Sequence, residues 1–406
     1  MTHICRICGG AVQQFLDLGR QPLSKAFLKP AEAGRETSFD LTVGICASCT
    51  MVQQLGEVSR DLVFGPRYPY RSSGSPVMRK HFERLAQRFL NHELAGAGRF
   101  VVEIGSNDGI FLKTISEGAV AHLGVDPCPR AAEIAEDKGV EVLVDFFEED
   151  TATQIRATHG PADVIYSANT LSHLPYLPSA LRGVDALLSE RGVFVVEDRY
   201  LGDIVAHTRF DQIYDEHFYL FTVRSVQAAA ALHGFELVDA KRLPVHGGSI
   251  RYTLARPGVR PQNINVGEFL AQERAQGLGD PATMPAFAER VQRARDELRT
   301  LLRELHDSGK LVVGYGATSK SATVTTYCGI GPDLVPYVID GSPVKHGRLT
   351  PGSHIPIRSP KAFSDPYPDY ALLFAWDHAD EIMAKEREFR KGGGRWILYV
   401  PEVRIV

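Results

Sequence analysis

The 406-residue sequence has no apolar run long enough to cross a membrane and no large excess of either charge. A bilayer-spanning helix needs about 20 consecutive apolar residues, so we expect no membrane-embedded segment. The net charge of −4 supplies no general basic field for nucleic acid. The first residues, MTHICRICGG, contain neither the basic region nor the apolar stretch of a secretory signal. We therefore expect a cytoplasmic protein, with no membrane and no nucleic acid among its partners.

Cysteine is scarce, and four of the six cysteines form two C-x-x-C pairs: Cys5, Cys8, Cys46 and Cys49. In the cytosol such residues are thiols or metal ligands rather than disulfides. Four thiolates suit a tetrahedral Zn²⁺, and a filled four-sulfur shell leaves no open position for chemistry. Glycines after the first pair and small residues inside the second let backbone N–H groups approach the sulfurs. We predict a structural zinc site, with a redox dithiol as the rival interpretation.

Three segments of different pattern follow one another along the chain. Residues 1–70 are rich in turn formers and contain the cysteine pairs, and residues 71–258 alternate buried strands with helices. Residues 259–406 begin with two helical stretches, which connect to another series of buried strands. Such alternation favours a parallel sheet with helices on its faces. The predicted fold class is α/β in three domains, a small zinc-binding domain followed by two Rossmann-like domains.

The stretch FVVEIGSNDGIFLKTI has the pattern of a buried strand, a glycine turn and a helix, which lets the backbone approach a ligand at the sheet edge. Its spacing lacks the G-x-G-x-x-G of a dinucleotide site. It resembles motif I of the class I, Rossmann-like methyltransferases that use S-adenosyl-L-methionine. A turn that only packs helix on strand is the alternative, but it explains none of the acids farther along. We predict a site for this cofactor that includes Glu103, Gly105, Asn107 and Asp108.

Later positions agree with that cofactor in order and distance. Asp126 ends the second strand, where a carboxylate can bind both ribose hydroxyls. After the third strand, Asp145 can bind the adenine amino group, and Phe146 or Phe147 can cover the adenine ring. Asn169 follows the fourth strand and is expected near the methionine moiety. The four elements in series predict an S-adenosyl-L-methionine site.

The stretch FDQIYDEHFYLF, residues 210–221, places acids and a histidine among aromatic rings after the predicted fifth strand. Methylation of carbon requires removal of a proton, and the imidazole of His217 is suited to that task. Glu216 can orient the base or balance its charge, and Tyr214 can donate to an enolate oxygen. Adjacent residues of a strand face opposite sides, so both reach one pocket only in a loop or helical turn. A histidine with a purely structural role is the alternative.

Other side chains are expected near the same pocket. His173, in LSHLPYLP, follows the fourth strand and is a second candidate base; a loop histidine that bonds the backbone is the alternative. Tyr68 and Tyr70 lie at the join between the first two segments. They are expected either to close over the active site or to pack between domains.

A second strand and glycine turn, LVVGYGATSK, opens the last series of strands. Ser319 stands where a dinucleotide site has its third glycine, Lys320 begins the next helix, and Asp340 ends a later strand. Hydroxyls and a lysine at a helix start suit phosphate groups. We predict that this turn binds a diphosphate-bearing substrate. A turn with only a packing purpose and a nicotinamide site are the alternatives.

Taken in order, the cysteine pairs, the methyltransferase motifs, the YDEH stretch and GYGATSK resemble one family over essentially the whole chain. The chain is similar to the sugar C-methyltransferases of antibiotic deoxysugar biosynthesis, also in RYPYRSSGSPVM, SFDLTVGICASCTMVQ, LPVHGGSIRYTLAR and DPYPDYALLFAWDHA. Members of that family methylate carbon 3 of a dTDP-linked 4-keto-deoxyhexose. Their C-terminal domain helps to hold the nucleotide sugar.

The resemblance implies roles for individual residues. His217 would be the general base, with Tyr214 and Glu216 close to the sugar and Tyr68 in the pocket. The ketone would acidify the proton on carbon 3, His217 would remove it, and the enolate would attack the sulfonium methyl in line. Whether the acceptor carries a 3-hydroxyl or a 3-amino group stays open. The residues expected to contact substrate are Tyr70, Ser72, His246, Lys320 and Asp340.

Three rival functions stay open. O- or N-methylation of the same sugar would use the same donor without a carbanion. A non-enzymatic nucleotide-sensing or zinc-dependent interaction module would bind the donor without turnover. A nicotinamide-dependent oxidoreductase would use Gly314 and Gly316. Because each domain can find a partner within the chain, we expect a monomer.

Overall fold

The computed structural model describes residues 3–65, 68, 71–280 and 282–406. Within these ranges the strands form sheets of five, seven and six strands, which we call the N-terminal, middle and C-terminal sheets. Over the same residues, no helix is both long enough and apolar enough to cross a membrane. The predicted α/β fold class is confirmed.

The N-terminal sheet is antiparallel, and its apolar side chains belong to a core that continues into the other two regions. Leu41 and Val43 point into this core, as does Met51, which lies just after the second cysteine pair. The cysteines lie at the ends of its strands, where the chain turns. Its elements along residues 3–65 are β1 (His3–Ile4), β2 (Ala11–Pro22), β3 (Ser38–Cys46), β4 (Val52–Gln54) and the short helix α1 (Arg60–Val63).

The middle region supplies the longest series of strands. These are β5 (Phe100–Ile104), β6 (Ala121–Val125), β7 (Val142–Leu143), β8 (Ala162–Ala168), β9 (Leu188–Arg199), β10 (Tyr219–Leu220), β11 (Glu236–Leu243) and β12 (Ser249–Ala255). All except β10 join the middle sheet, in the order β11-β12-β9-β8-β5-β6-β7. Strands β5 to β9 are parallel, and β12 is antiparallel to both β9 and β11. The parallel prediction is therefore wrong for β12, because the short turn that joins it to β11 cannot make a parallel crossover, whereas β11 runs in the same direction as β5 to β9.

Helices cover both faces of the middle sheet, and alternation along the strands assigns side chains to each face. Val101 of β5 packs in one core with residues of α2 and α3, whereas Val102 packs in another core with residues of α5 and α6. Both faces are therefore buried, as expected for a parallel sheet. The helices are α2 (Pro76–Asn91), α3 (Ile110–Glu117), α4 (Pro129–Glu136), α5 (Glu149–His159), α6 (Leu177–Leu187), α7 (Leu201–Ala206) and α8 (Val223–Leu232).

The C-terminal region begins with the two predicted helices, α9 (Ile264–Ala275) and α10 (Thr283–Asp307). Its sheet has the order β15-β14-β13-β16-β17-β18, with β18 antiparallel to its neighbour. On α10 the predicted apolar stripe is buried at Phe287, Val291 and Leu298. The remaining elements are β13 (Val312–Tyr315), α11 (Ser319–Cys328), β14 (Val338–Ile339), β15 (Ile357–Arg358), β16 (Tyr370–Leu373), α12 (Ala379–Lys385), α13 (Arg387–Lys391), β17 (Arg395–Leu398) and β18 (Arg404–Ile405).

Residues 210–221 lie where the three sheets meet. Strand β10, at the end of this stretch, pairs antiparallel with β4 and so extends the N-terminal sheet. At the other end, the buried carboxylate of Asp211 accepts hydrogen bonds from Trp376 Nε1 at 2.5 Å and from Tyr399 OH at 2.6 Å, both in the C-terminal region. The stretch is thereby fixed from two sides at the carboxyl edge of the middle sheet.

Candidate active site

The four cysteines of the two pairs converge on one point, with their Sγ atoms all within 4.8 Å of one another. Cys5 and Cys49 sulfurs are 3.6 Å apart, and those of Cys8 and Cys46 are 3.4 Å apart. A tetrahedral site with Zn–S bonds of about 2.3 Å separates its sulfurs by about 3.8 Å. The backbone N–H of Ser48 points at Cys46 Sγ, as predicted for such a knuckle. This donor set fits a structural zinc ion.

The zinc site is connected to the 210–221 stretch by one glutamine. Gln54 follows the second cysteine pair on β4 and is buried. Its side-chain Nε2 donates to the carbonyl oxygens of Tyr214 at 2.7 Å and His217 at 3.0 Å, and its backbone N–H donates to Phe218. The fold of the N-terminal sheet therefore fixes the backbone that carries His217.

The first glycine turn has the geometry of a nucleoside site. Gly105 has φ of +74°, and a Cβ there would lie 2.2 Å from Thr170 Oγ1, so only glycine fits. The carboxylate of Asp126 accepts N–H groups from Asn107 and Cys128, each at 2.9 Å. Burial raises the pKa of Asp126, and these two donors oppose the rise. The turn and this acid form one rigid unit at the sheet edge.

Several polar atoms around this turn are buried and have no hydrogen-bond partner among the described residues: Glu103 Oε2, Ser106 Oγ and Asn169 Oδ1. Buried polar groups normally have partners, so such atoms mark a place for a polar ligand. Burial, with the nearby Asp126 and Asp108 charges, raises the pKa of Glu103 well above its usual value. The residues therefore fit a polar ligand that can form hydrogen bonds with these oxygens.

The carboxylate of Asp108, unlike the unpartnered atoms around the turn, already has hydrogen-bond and ion-pair partners. Ser73 donates to it through both its backbone and its hydroxyl, and Lys138 Nζ lies 3.3 Å from Oδ2. Ser72 donates its backbone N–H to Asn107 Oδ1 at 3.0 Å. Ser72, predicted to contact substrate, thus lies beside the cofactor turn, and Asp108 holds this segment against it.

The side chains predicted to contact the adenine differ in their exposure to solvent. Asp145 is exposed and accepts the N–H of Phe146 at 2.8 Å. Phe147 is buried in the core, which leaves Phe146 as the accessible ring. The guanidinium of Arg60 lies 4.2 Å from the centre of that ring.

His217 lies in a tight turn, closed by its own N–H donating to the Tyr214 carbonyl at 2.9 Å. Glu216 and His217 therefore lie in a turn rather than a strand, which is the condition for two adjacent side chains to reach one pocket. His217 Nδ1 lies 2.5 Å from the Gln212 carbonyl oxygen. A carbonyl only accepts, so Nδ1 carries the hydrogen and the neutral ring has its lone pair on Nε2. Nε2 is buried, with no hydrogen-bond partner among the described residues.

Other rings pack against the His217 imidazole in a continuous stack. The His173 ring stacks on His217 at 5.2 Å and on Phe64 at 5.6 Å, and Tyr214 packs on His217 at 3.9 Å. Burial lowers the pKa of His217 well below its usual value, and the positive charge of Arg199 adds to this effect. His173 is shifted in the same direction for the same reasons. Both imidazoles are therefore neutral at pH 7 and able to accept a proton.

Glu216 is not bonded to the imidazole but to a lysine from the N-terminal region. Lys25 Nζ lies 2.7 Å from Glu216 Oε2 and 2.6 Å from the hydroxyl of Tyr68. Tyr68 OH lies 3.5 Å from the same Glu216 oxygen. Lys25 thus joins two residues predicted for the pocket.

Of the remaining predicted substrate residues, Tyr70 lies outside the described residues. His246 occupies the turn before β12 with φ of +53°, and burial lowers the pKa of its ring to about 3. Lys320 pairs with Asp377 at 2.8 Å and lies 4.4 Å above the Trp376 ring. Asp340 accepts from Ala317 N–H at 2.9 Å, within its own domain. Its carboxylate holds the second glycine turn together.

A cavity of about 640 Å³ opens beside His246, between the middle and C-terminal sheets. Arg209 lies 4.7 Å from the centre of the Trp376 ring at its wall. Its lining consists of Asp203, Arg209, Arg242, Leu243, Pro244, Gly247, Gly248, Trp376 and Asp377. The cavity and the His217 turn are neighbours, because Gln212 Nε2 lies 3.5 Å from the carbonyl of His246.

Sequence reasoning missed Lys25, Gln54 and Arg199. Lys25 and Gln54 contact residues more than 150 positions away, so no local pattern marks them. Arg199 did have a signal, since a charged Asp-Arg pair ends the buried strand GVFVVEDRY at the edge where ligands bind.

Three family models match consecutive parts of the chain. A putative zinc binding domain matches residues 5–64, a methyltransferase domain matches residues 78–240, and a C-methyltransferase C-terminal domain matches residues 244–401. These matches confirm the three-part fold class and agree with the four-sulfur cluster and the glycine turn.

Among known proteins, the C-methyltransferase NovU of Streptomyces niveus is 36% identical over 408 aligned residues, covering 99% of this chain and 96% of that protein. A methyltransferase of Anabaena variabilis is 17% identical, with a TM-score of 0.35 over 43% of this chain and 84% of its own. Magnesium protoporphyrin IX methyltransferase of Synechocystis is 12% identical, with a TM-score of 0.36 over 49% of this chain and 95% of its own. Likeness as partial as that of the last two carries no information about the acceptor.

Proposed function

The chain belongs to the C-methyltransferase family, and from this premise we propose that it methylates carbon 3 of a dTDP-linked 4-keto-2,6-dideoxyhexose. The acceptor carries a hydroxyl or an amino group on the same carbon. The enzyme uses S-adenosyl-L-methionine and holds a structural zinc ion. The observation that carries the proposal is His217, a neutral imidazole with a free, buried Nε2 and a ring that stacks on His173 in the turn after β8.

A base of this kind suits a carbon acid. The Gln212 carbonyl holds the His217 Nδ1–H and stabilises the imidazolium that forms when Nε2 takes a proton. The ketone on carbon 4 lets the electron pair left on carbon 3 spread onto oxygen as an enolate. The donor, when bound, supplies an electrophilic methyl group, so the chain's own residues mainly orient the acceptor and form the enolate.

The other pocket residues restrict how the sugar can bind. Tyr68 and Glu216, bridged by Lys25, form a polar edge on the N-terminal side of the His217 turn. The rings of His173, Phe64 and Tyr214 exclude water from the imidazole. A carbanion next to such a base is then protected from protonation by solvent.

The nucleotide end of the acceptor is proposed to lie in the cavity beside His246. The cavity offers Arg209 and Arg242 for phosphate oxygens and the Trp376 ring for a base. Lys320 Nζ lies 4.4 Å from the centre of the same ring and pairs with Asp377. On this arrangement the diphosphate points away from the cofactor turn and the sugar points toward it.

The proposal predicts that purified enzyme converts a dTDP-4-keto-2,6-dideoxyhexose, or its 3-amino analogue, to a product heavier by one methylene group. Mass spectrometry gives the mass change, and NMR places the new methyl on a carbon without hydrogen. A matched acceptor with a hydroxyl in place of the ketone should give no product, because its carbon 3 proton is not acidic. Methylation of that 4-hydroxy acceptor would instead indicate transfer to oxygen or nitrogen.

A further inference from the structure

Arg199 lies between the two histidine-bearing turns that border the proposed pocket. It is the last residue of β9, and it pairs in register with Ser249 at the start of β12. On one side, the neighbouring Asp198 accepts from the backbone and hydroxyl of Ser172, which fixes the turn of His173. On the other side, the turn of His246 leads directly into β12. Arg199 thus reaches the carboxyl edge of the middle sheet next to both turns.

The guanidinium has buried nitrogens with no protein partner. Its Nε and Nη1 are shielded from solvent and find no hydrogen-bond acceptor among the described residues, although the side chain as a whole is partly exposed. The two acids that precede it on β9 are already engaged: Asp198 by Ser172 and the Arg199 backbone, and Glu197 by His81 and Arg251. Buried N–H groups without an acceptor are costly, so these two call for an anionic or strongly polar ligand.

The charge of Arg199 acts on the imidazoles around the pocket. After burial, it is the largest contribution that lowers the pKa of His173, His217 and His246 alike. Protonated His217 would therefore be repelled by the positive charge of Arg199. A negative charge that forms between Arg199 and His217 during the proton transfer would remove this repulsion. An enolate that forms between them supplies that charge.

We propose that Arg199 is a catalytic residue that donates to the ketone oxygen on carbon 4 of the acceptor and holds it as the enolate. The inference rests on the proposed function. The inference goes beyond that function, because it assigns the contact with the enolate oxygen to Arg199, which lies outside the methyltransferase motifs and the His217 turn.

The step balances in charge and electrons. The proton on carbon 3 goes to His217 Nε2, and the electron pair of that C–H bond becomes the enolate, whose oxygen Arg199 neutralises. The enolate carbon then bonds to the methyl group of the donor, whose bond to sulfur breaks with its electron pair on sulfur. The ketone re-forms, and Arg199 keeps its charge throughout.

The enclosed position favours the ketone oxygen over the diphosphate as the anion. Nε and Nη1 are out of contact with solvent even in the free protein. The diphosphate has charged alternatives in the open cavity, where Arg209 and Arg242 lie. The two sources differ in kinetics, because a diphosphate contact exists in the ground state and an enolate contact strengthens only as charge develops.

The test compares Arg199→Gln with the wild type in two assays. The first measures methyl transfer. The second measures exchange of the carbon 3 proton with deuterated water, with S-adenosyl-L-homocysteine in place of the donor. We expect kcat and the exchange rate to fall together by about 10²–10³, as on loss of one oxyanion donor. We expect the KM for the nucleotide sugar and the affinity for S-adenosyl-L-methionine to change little. Arg256→Gln, which removes an ion pair just past the other end of β12, is the matched control and should keep the wild-type rate.

A rise in KM with unchanged kcat would assign Arg199 to the diphosphate and overturn the proposal, and so would unchanged kinetics or a selective loss of donor affinity. Should Arg199→Gln fail to fold, Arg199→Lys carries the test. A reduced kcat and exchange rate at unchanged KM would support the proposal, and wild-type kinetics would overturn it. Failure of the proposed function itself is distinguishable, since the wild type would then neither methylate a keto sugar nor exchange its proton.

Discussion

Replacing His217 with alanine or asparagine is expected to lower turnover by about 10²–10⁴, the range that general bases contribute, while S-adenosyl-L-methionine binding is unchanged. The structure gives the reason for both parts. The free Nε2 is the proposed proton acceptor, whereas the cofactor turn and Asp126 belong to the middle sheet and are held together by their own hydrogen bonds. Stopped-flow or steady-state methyl transfer measures the first part, and calorimetric titration of the donor measures the second.

The pH dependence follows from the direction of the pKa shift. Burial and the Arg199 charge lower the pKa of His217, so the imidazole loses its proton at a lower pH than an ordinary histidine. Since only the unprotonated ring can act as the base, the acid limb of kcat/KM should lie below the ordinary histidine pKa of about 6.5. An acid limb above that value would contradict the assignment of His217.

Two other histidines complete the comparison. His233→Asn, at the end of α8 and away from the pocket, is the matched control and should leave the rate unchanged. His173 also has a buried Nε2 without a partner among the described residues, but the contact between His217 Nδ1 and the Gln212 carbonyl favours His217 as the base. His173→Asn is therefore expected to slow turnover less than the His217 variants, through loss of its stacking on the base. Full activity in both His217 variants, with activity lost in His173→Asn, would transfer the role of base to His173.

Removing the zinc ion is expected to abolish methyl transfer while donor binding persists. Metal binding accounts for about 10–16 kcal/mol of folding free energy in small zinc-finger peptides, so the N-terminal sheet should lose its order without it. That sheet holds Gln54, which fixes the carbonyls of Tyr214 and His217, and the segment between its strands β2 and β3 carries Lys25. The cofactor turn lies on the middle sheet and keeps its own hydrogen bonds.

The measurement uses chelator-treated protein and a Cys46→Ser variant, with metal content, melting temperature and kcat followed together. Gln54→Leu is the matched variant, since it keeps all four sulfurs but loses both hydrogen bonds to the His217 turn. It should retain one zinc ion per chain and lose most of its turnover. Zinc-free protein with wild-type kcat would show that the N-terminal sheet does not position the base.

Local sequence patterns were enough to propose much of the candidate site. A glycine turn after a buried strand, an acid at the end of the next strand and a C-x-x-C pair each fix a short piece of backbone by themselves. For this reason Gly105, Asp126 and the four cysteines could be found without a structure. The histidine in FDQIYDEHFYLF could be found as well, because its acids and rings are unusual in composition.

The features of the candidate site that could not be predicted from the sequence depend on contacts between distant segments. Lys25 meets Glu216 across 191 positions, and Gln54 meets His217 across 163, so neither carries a local signal. Glu216 consequently binds a lysine rather than the imidazole that the sequence placed beside it. The antiparallel direction of β12 was also missed, because strand-like residues have the same pattern whichever way the strand runs.

The proposed carbon methylation is tested most directly with an acceptor that carries deuterium on carbon 3. Methyl transfer to that carbon must remove the deuteron, because the product carbon has no remaining hydrogen. We therefore predict a methylated dTDP sugar without deuterium, observed by mass spectrometry and NMR. A methylated product that retains the deuterium would contradict a carbon acceptor and the role of His217 as its base.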